Sequence, residues 1–413
     1  MNLPRLLVAT EFPPNAPGGG GAIVRQMLKA WPLERLFWWS CQPEGNQIFG
    51  QQVAGHSVAA IPPKFYPNRR ARELKCWLLE KFWTPWAARH FRRTLVAVQP
   101  DVVWIIPHCW SIPPLARAMP RAGIGFHVSI HDYPDVRSLA NRFGTAQCRR
   151  LSRCVDQLYL QAGTRDTVCQ QMSDDIQART GATGGVNRCG LEAEDFTMLQ
   201  VMGQSSAASP GCRREEAEAG QAIRIAYAGT IIVEHEFALF ATALGKIRPL
   251  LPRRLTLEFF GDHSYRRRTW FDAEWMTEHG SLPLPRLAAA LRKCTWGFSP
   301  MALTDDDPRY NRFSLPTKLV SYLAAGLPIL VLGHPESSVA KMASGYRLGF
   351  GSTATDPETL AAQLLPVLAE PEPGTKFRAA IRQCAAREFD AARMRATLHE
   401  NLQKSAAVAR GRT

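Results

Sequence analysis

The sequence predicts an α/β protein made of two doubly wound domains facing a cleft. Short apolar runs alternate with amphipathic helical patterns along the chain, the signature of βαβ units and parallel sheets. A second such series begins at Ile223, after a stretch at 203–221 that is rich in Ser, Ala, Gly and Glu, lacks apolar periodicity and reads as a linker. The length, 413 residues, exceeds one typical domain. The expected division is a first domain at 1–200, a linker at 201–221, a second domain at 222–385, and a helical tail at 386–413 that packs back on the first domain.

The composition is globular, 46% hydrophobic and 21% charged. Apolar runs such as 102–106 and 329–332 are far shorter than the roughly 20 residues of a membrane-spanning helix. The run 6–9 is followed at once by Glu11 and prolines, unlike a secretory leader. Ten cysteines without CxxC pairs or metal-ligand spacing suggest reduced, cytosolic thiols. The net charge of +14 reads either as solubility in an Arg-rich chain or as attraction to something anionic, such as lipid headgroups or a phosphorylated substrate. No zinc finger or RNP-type aromatic motif is present, so no nucleic-acid partner is expected.

In chain order, residues 6–10 read as a buried first strand. The sequence EFPPNAPGGGGAIVRQML follows, in which prolines keep the chain extended and Gly18, Gly19, Gly20 and Gly21 form a loop able to approach a ligand closely before a helix opens at Ala22. This is neither GxGxxG nor a P-loop, and a plain flexible loop fits the same pattern. At 64–93, KFYPNRRARELKCWLLEKFWTPWAARHFRR alternates basic residues with Trp77, Phe82, Trp83, Trp86 and Phe91. Aromatic anchors beside Arg and Lys suit an anionic membrane surface. An amphipathic helix pair with its aromatics in the core would read the same way. Strands at 102–106 and 126–130 end in His108 and His131, where ligands lie in open α/β sheets. A helical pattern covers 149–156, residues 158–160 read as a short strand, and Thr164 reads as the cap of a further helix.

The second domain begins with a strand at 223–228 and the turn Gly229-Thr230. A helix at 237–247 follows, then a strand at 255–260 ending in Gly261, a helix within 281–294, and a strand at 296–299. Residues 311–332, NRFSLPTKLVSYLAAGLPILVL, read as loop, helix, turn and buried strand. Ser314 is the expected N-cap, Pro316 falls in the first turn, and Lys318 follows one turn in. Free N–H groups and a cation together form a ready phosphate site. An ordinary helix–strand unit has the same local pattern.

Several segments in order resemble the GT-B glycosyltransferases, and within them the retaining family 4: FPPNAPGGGG, PDVVW with its histidine loop, SIHDY, NRCGLEAEDF, YAGTI, LEFFGD, HGSLPLPRLAAAL and SLPTKLVSYLAAGLPIL. The resemblance implies two Rossmann-like domains, a nucleotide-diphosphate-sugar donor bound mainly to the second, and an acceptor bound to the first. It implies no bound metal and no cofactor beyond the donor substrate. Donor-binding positions would be Gly229, Thr230, Gly261, Arg312, Ser314, Pro316, Thr317, Lys318 and Ser321. His108, His131 and Lys318 would serve catalysis, and the 18–21 loop would approach the diphosphate or acceptor. The acceptor would be a carbohydrate or a lipid-linked sugar of surface polysaccharide or glycolipid synthesis. With the basic aromatic segment 64–93 read as a membrane surface, the protein would be cytoplasmic and peripheral on the inner face of a membrane.

The sequence also departs from that family. Its two glutamates spaced by seven residues are Phe313 and Ser321 here, and its Arg and Lys after the first donor-domain strand are Thr230 and, approximately, His235. A nucleotide-sugar 2-epimerase of the same architecture and a catalytically degenerate binding protein therefore stand as alternatives.

Overall fold

The structure is a computed structural model that describes residues 3–16, 18–63, 71–133, 143–204 and 222–410. The chain divides into two compact units. One contains Met1–Cys189, Arg312–Ser314 and Ala391–Thr413; the other contains Gly190–Asn311 and Leu315–Asp390.

The first unit is built on β1 (Leu6–Ala9), β2 (Leu36–Ser40), a two-stranded hairpin of β3 (Gln47–Ile48) and β4 (Gln51–Gln52), β5 (Gly55–Val58), β6 (Val102–Ile105), β7 (Phe126–Ile130), β8 (Thr164–Thr167) and β9 (Gly185–Val186). Apart from the hairpin these form one parallel sheet in the order β5-β2-β1-β6-β7-β8-β9. Strands covered on both faces favour apolar side chains, which is why β1 and β6 are unbroken apolar runs; β7 is equally buried but carries His127 and Ser129, whose polar groups are paired inside. The last helix, Ala391–Arg410, packs over β6, β7, β8 and the helix Gly19–Met27. Its Ser405 backbone carbonyl lies so close to Gly125 that a Cβ there would come within 1.8 Å of it, and the Ser405 hydroxyl crowds Gly163, where a Cβ would come to 3.2 Å.

Two expectations in this half are corrected. Residues 158–160 belong to the helix Thr145–Gln161, because Leu151, Val155, Leu158 and Tyr159 form its buried stripe. Thr164 opens β8 instead of capping a helix, and the next helix is Gln170–Thr180. This strand has no apolar run because its polar groups are paired inside. Thr164 bonds Ser405, and Asp166 holds His127 at 2.9 Å.

The basic aromatic segment divides between its two readings. Residues 64–70 lie outside the described residues. The remainder forms a helix Arg72–Leu78, a π-helical turn Leu79–Trp83 and a helix Thr84–Val98. Trp83 and Phe91 are buried, whereas Trp77, Phe82 and Trp86 are exposed.

The second unit carries β10 (Ala222–Ala228), β11 (Arg254–Phe260), β12 (Met276–Glu278), β13 (Trp296–Pro300), β14 (Ile329–Leu332) and β15 (Gly349–Ser352), all parallel, in the order β12-β11-β10-β13-β14-β15. Its core is aromatic: Phe240 stacks on Phe298 with centroids 3.6 Å apart, and Tyr227, Phe237 and Phe259 surround them. The unit begins at Gly190, earlier than the sequence suggested. The Leu191 N–H bonds the Phe389 carbonyl and Leu191 bridges Asp390, so the helix Ala193–Gln204 stays with this unit. Residues 201–204 of the expected linker finish that helix, and 205–221 lie outside the described residues. At the other end, residues 386–388 finish the helix Pro373–Glu388, and the chain leaves this unit only at Ala391.

Candidate functional site

In each sheet the chain leaves the central strand in both directions, which opens a crevice at the carboxyl ends of two neighbouring strands. The switch lies between β1 and β6 in the first unit and between β10 and β13 in the second. Such crevices are where open parallel sheets bind ligands.

In the first crevice the segment after β1 is fixed by the Trp38 indole, which donates to the Phe12 carbonyl at 3.0 Å, and by the Thr10 hydroxyl, which donates to the same carbonyl. Gly18 follows with φ +95°, open to glycine, and the helix starts at Gly19. Gly20 presents bare backbone to His108: a Cβ there would lie 3.6 Å from His108 Nε2 and 3.6 Å from the Phe12 ring. Gly21 has a different task. A Cβ there would come within 2.4 Å of the Ala16 carbonyl oxygen, so it permits close packing of the loop on its helix.

His108 leaves β6 and exchanges two hydrogen bonds with Ser111, its N–H donating to the hydroxyl and the hydroxyl donating to its carbonyl. The next residue, Cys109, sits at φ +39°, a strained value for a non-glycine. The His108 ring meets Phe12 and His131 edge to face, with centroids 5.5 and 6.0 Å away. His131 follows β7 and is 6% exposed. His108 Nε2 and His131 Nδ1 are buried without a hydrogen-bond partner among the described residues. Burial lowers both pKa values. For His108 the nearby Asp132 opposes the effect; for His131 the His108 ring adds to it, Asp166 opposes it, and the value falls to about 3. The site therefore holds two neutral imidazoles, each able to exchange a hydrogen bond with a hydroxyl and neither able to keep a proton easily.

In the second crevice Gly229 turns the chain at φ +95° and donates its N–H to the Phe260 carbonyl at 2.7 Å. Gly261 lies against it, with room for no more than a hydrogen where a Cβ would come 3.0 Å from the Gly229 oxygen. Thr230 is exposed, and its carbonyl accepts from the Tyr227 hydroxyl at 2.7 Å. The helix Lys318–Ala324 enters here. Its Tyr322 hydroxyl accepts the Ala228 N–H at 2.9 Å and lies 3.0 Å from the Phe298 carbonyl, which pins the helix where β10 and β13 part. Lys318 sets its ammonium 3.8 Å above the Tyr227 ring. The residue as a whole keeps some exposure, but the ammonium is enclosed, and burial pulls its pKa down to about 7.

The expected phosphate loop is corrected in three respects. Ser314 is not the cap of this helix. Thr317 precedes Lys318 and makes no side-chain capping bond. The N–H groups of Leu319 and Val320 are taken by the carbonyls of Pro316 and Thr317, so the helix start offers less to an anion than free N–H groups would. Residues 308–313 form a helix of their own, Pro308–Phe313, opened by Asp307, whose carboxylate accepts from the Tyr310 N–H at 3.2 Å. Arg312 and Ser314 group with the first unit, whereas Gly229, Thr230, Gly261, Pro316, Thr317, Lys318 and Ser321 group with the second. Ser321 is partly exposed, one turn after Lys318.

Two acidic residues escaped the sequence reading. Glu11 is buried at the carboxyl end of β1. Glu236, buried in the first turn of the helix Glu234–Ile247, accepts from the Leu303 N–H at 2.9 Å and so ties the loop after β13 to the far side of the crevice. For Glu11 the signal was present, an acid directly after a central strand. Among the described residues no three His, Cys, Asp or Glu side chains group as metal ligands would.

No protein-family model and no curated protein sequence matches the chain. Solved structures do. Sucrose-phosphate synthase from Thermosynechococcus elongatus is similar at TM-score 0.70 and 12% identity, over 98% of this chain and 99% of that one. Trehalose 6-phosphate synthase from Burkholderia multivorans gives 0.62 and 12%, over 99% and 98%. A UDP-forming trehalose-phosphate synthase from Burkholderia xenovorans, solved with glucose-6-phosphate, gives 0.61 and 13%, over 97% and 100%. These likenesses establish the fold as GT-B, with two Rossmann-like domains.

Proposed function

We propose that the protein is a glycosyltransferase that moves a sugar from a nucleotide-diphosphate sugar to a carbohydrate hydroxyl. Lys318 carries this reading. An enclosed ammonium with no carboxylate partner among the described residues, at the switch crevice of a Rossmann-like domain, is matched by an anionic ligand. In this reading the anion is a nucleotide diphosphate, which the UDP-forming synthase among the similar structures supports.

In this reading the second domain holds the donor. Gly229 and Gly261 keep its crevice clear, and Thr230 and Ser321 offer hydroxyls. As the sugar–phosphate bond breaks, charge grows on the leaving diphosphate, and Lys318 stabilises it more than it stabilises the intact donor. The first domain holds the acceptor against Gly20, His108 and His131. With His131 at about 3, proton removal by that imidazole contributes little at neutral pH. The two rings orient hydroxyls instead, and the leaving diphosphate is the base at hand. That assignment favours retention at the anomeric carbon. Lys318 supplies the charge that a metal ion would otherwise bring, so turnover is expected to survive a chelator.

A thermal-shift screen against UDP-, GDP-, ADP- and dTDP-sugars, with and without Mg²⁺, tests the donor site. A donor at about 100 times its dissociation constant stabilises the fold by roughly 2.7 kcal/mol. Incubation of the best donor with sugars, sugar phosphates and lipid-linked sugars then tests transfer. Conversion of the donor sugar to its epimer without any acceptor would instead indicate an isomerase.

A further inference from the structure

We propose that the segment Arg72 to Val98 carries a docking surface for an anionic lipid leaflet. This inference is independent of the transfer reaction. The buried side of the segment is fully used: Trp83 donates to the Ala60 carbonyl at 3.1 Å, Trp39 meets Phe91, and the Trp39 indole bonds His90. The opposite side faces solvent with side chains that water does not favour. Trp77 is 51% exposed, Phe82 66%, Trp86 45% and Val96 76%. The Trp77 and Phe82 rings meet edge to face at 6.1 Å, so they form one patch.

Charge selects the occupant. Within the helix Thr84–Val98, positions 86, 89, 93 and 96 share one face, so Trp86 and Val96 stand in line with Arg89 and Arg93. Arg89, Arg92, Arg93, Val96 and Ala97 line an open pocket of about 440 Å³. Among the described residues no carboxylate pairs with these three guanidinium groups. An apolar patch alone would suit a second protein. Exposed aromatic rings on the same segment as three unpaired arginines that line a pocket suit phosphate headgroups, with the rings at the level of the acyl boundary and the arginines on the phosphates. No described helix is long and apolar enough to cross a membrane, so the association is peripheral.

The test uses the full-length protein and sedimentation with phosphatidylcholine vesicles, with and without phosphatidylglycerol. Binding is expected only with the anionic lipid and is expected to weaken with salt. R89E/R92E/R93E should lower the vesicle partition coefficient roughly 100-fold, at about fivefold for each basic residue near the surface. W77S/F82S/W86S should release the protein at a salt concentration where the wild type remains bound. Both triplets are exposed, so melting temperatures and donor-induced shifts should match the wild type. If the aromatic variant unfolds, the arginine variant alone decides. Equal binding to neutral and anionic vesicles, or unchanged binding by the arginine variant, overturns the proposal. So does a dimer in sedimentation equilibrium that W77S/F82S/W86S dissolves, which would make the patch a contact between copies. Because donor shifts are read separately, failure here leaves the transferase reading standing, and the reverse also holds.

Discussion

The rings of His108 and His131 meet edge to face with centroids 6.0 Å apart, and each keeps one ring nitrogen without a partner among the described residues. Burial lowers both pKa values, His131 to about 3, so protonating either would place a charge in an enclosed site beside the other imidazole. Turnover is therefore expected to stay level as pH falls from about 8 toward 6.5, where an ordinary histidine base would already be half lost. A kcat profile that falls with a midpoint near 6.5 would contradict this. His108→Ala should lower kcat by about 100-fold, the scale of losing one oriented hydrogen-bonding group. The melting temperature should also fall somewhat, because the change removes a buried ring packed on Phe12 and His131, but the lost Nε2 leaves no protein group unpaired.

Lys318 couples donor binding to pH. Its pKa near 7 leaves it half protonated in the free protein at neutral pH, and a bound diphosphate favours the charged form. Donor binding should then take up protons above about pH 7, and affinity should fall by up to tenfold per pH unit. Calorimetry in buffers of different ionisation heat reads this uptake directly. Lys318→Met should abolish it and weaken binding by about 10- to 100-fold, as expected for one lost charge-assisted bond. The sign for stability is opposite to that for binding. Between about pH 7 and 10.4 the unfolded chain holds the lysine proton and the folded protein does not, so ligand-free stability rises across that window. The methionine variant should lack this slope. Proton uptake that persists in the variant would remove Lys318 from the site.

Most of the sheet framework was legible because strands covered on both faces are mainly apolar, along their whole length in β1, β6 and β14 and at most positions in β7 and β10. The misreading of β8 has the converse cause. Its Thr-Arg-Asp-Thr sequence is satisfied by His127 and Ser405, and the latter lies 241 positions away from Thr164. His108 and His131 could be found because they follow strands, but their neutrality arises from burial that no local pattern encodes. The assignment of Ser314 as a cap failed against a better signal nearby, Asp307 followed by Pro308, which opens its own helix. Tyr322 read as one apolar helical residue, yet its hydroxyl acts on two strands.

That hydroxyl carries the third prediction. Tyr322→Phe would leave the buried Ala228 N–H without its acceptor and should cost about 1–3 kcal/mol in urea unfolding. Gly297 is the matching small residue on β13, where a Cβ would come 2.5 Å from the Tyr322 ring. Gly297→Ala should cost a similar amount, about 1–3 kcal/mol, by overpacking. Because both changes act on one contact, Gly297→Ala combined with Tyr322→Ala should destabilise less than the sum of the two single changes. Strict additivity would mean that the ring and the glycine are not in contact.

The glycines of the first crevice separate packing from chemistry. Gly21→Ala would drive a Cβ to 2.4 Å from the Ala16 carbonyl oxygen, a backbone atom already bound by the Arg25 guanidinium. The loop and the helix Gly19–Met27 would have to move apart, at a cost of about 1–3 kcal/mol, with the melting temperature falling accordingly. Gly20→Ala faces no such obstacle. Its Cβ would lie 3.6 Å from His108 Nε2 and from the Phe12 ring, ordinary contact distances, and alanine is the better helix former by up to about 1 kcal/mol. Stability should therefore hold or rise slightly. The added methyl would nonetheless stand beside the unpartnered Nε2, where an acceptor hydroxyl is expected to bind, and kcat/KM should fall by at least tenfold. A Gly20→Ala enzyme with full activity would move the acceptor away from His108. A Gly21→Ala protein that melts like the wild type would show that the loop adjusts to the extra carbon without loss.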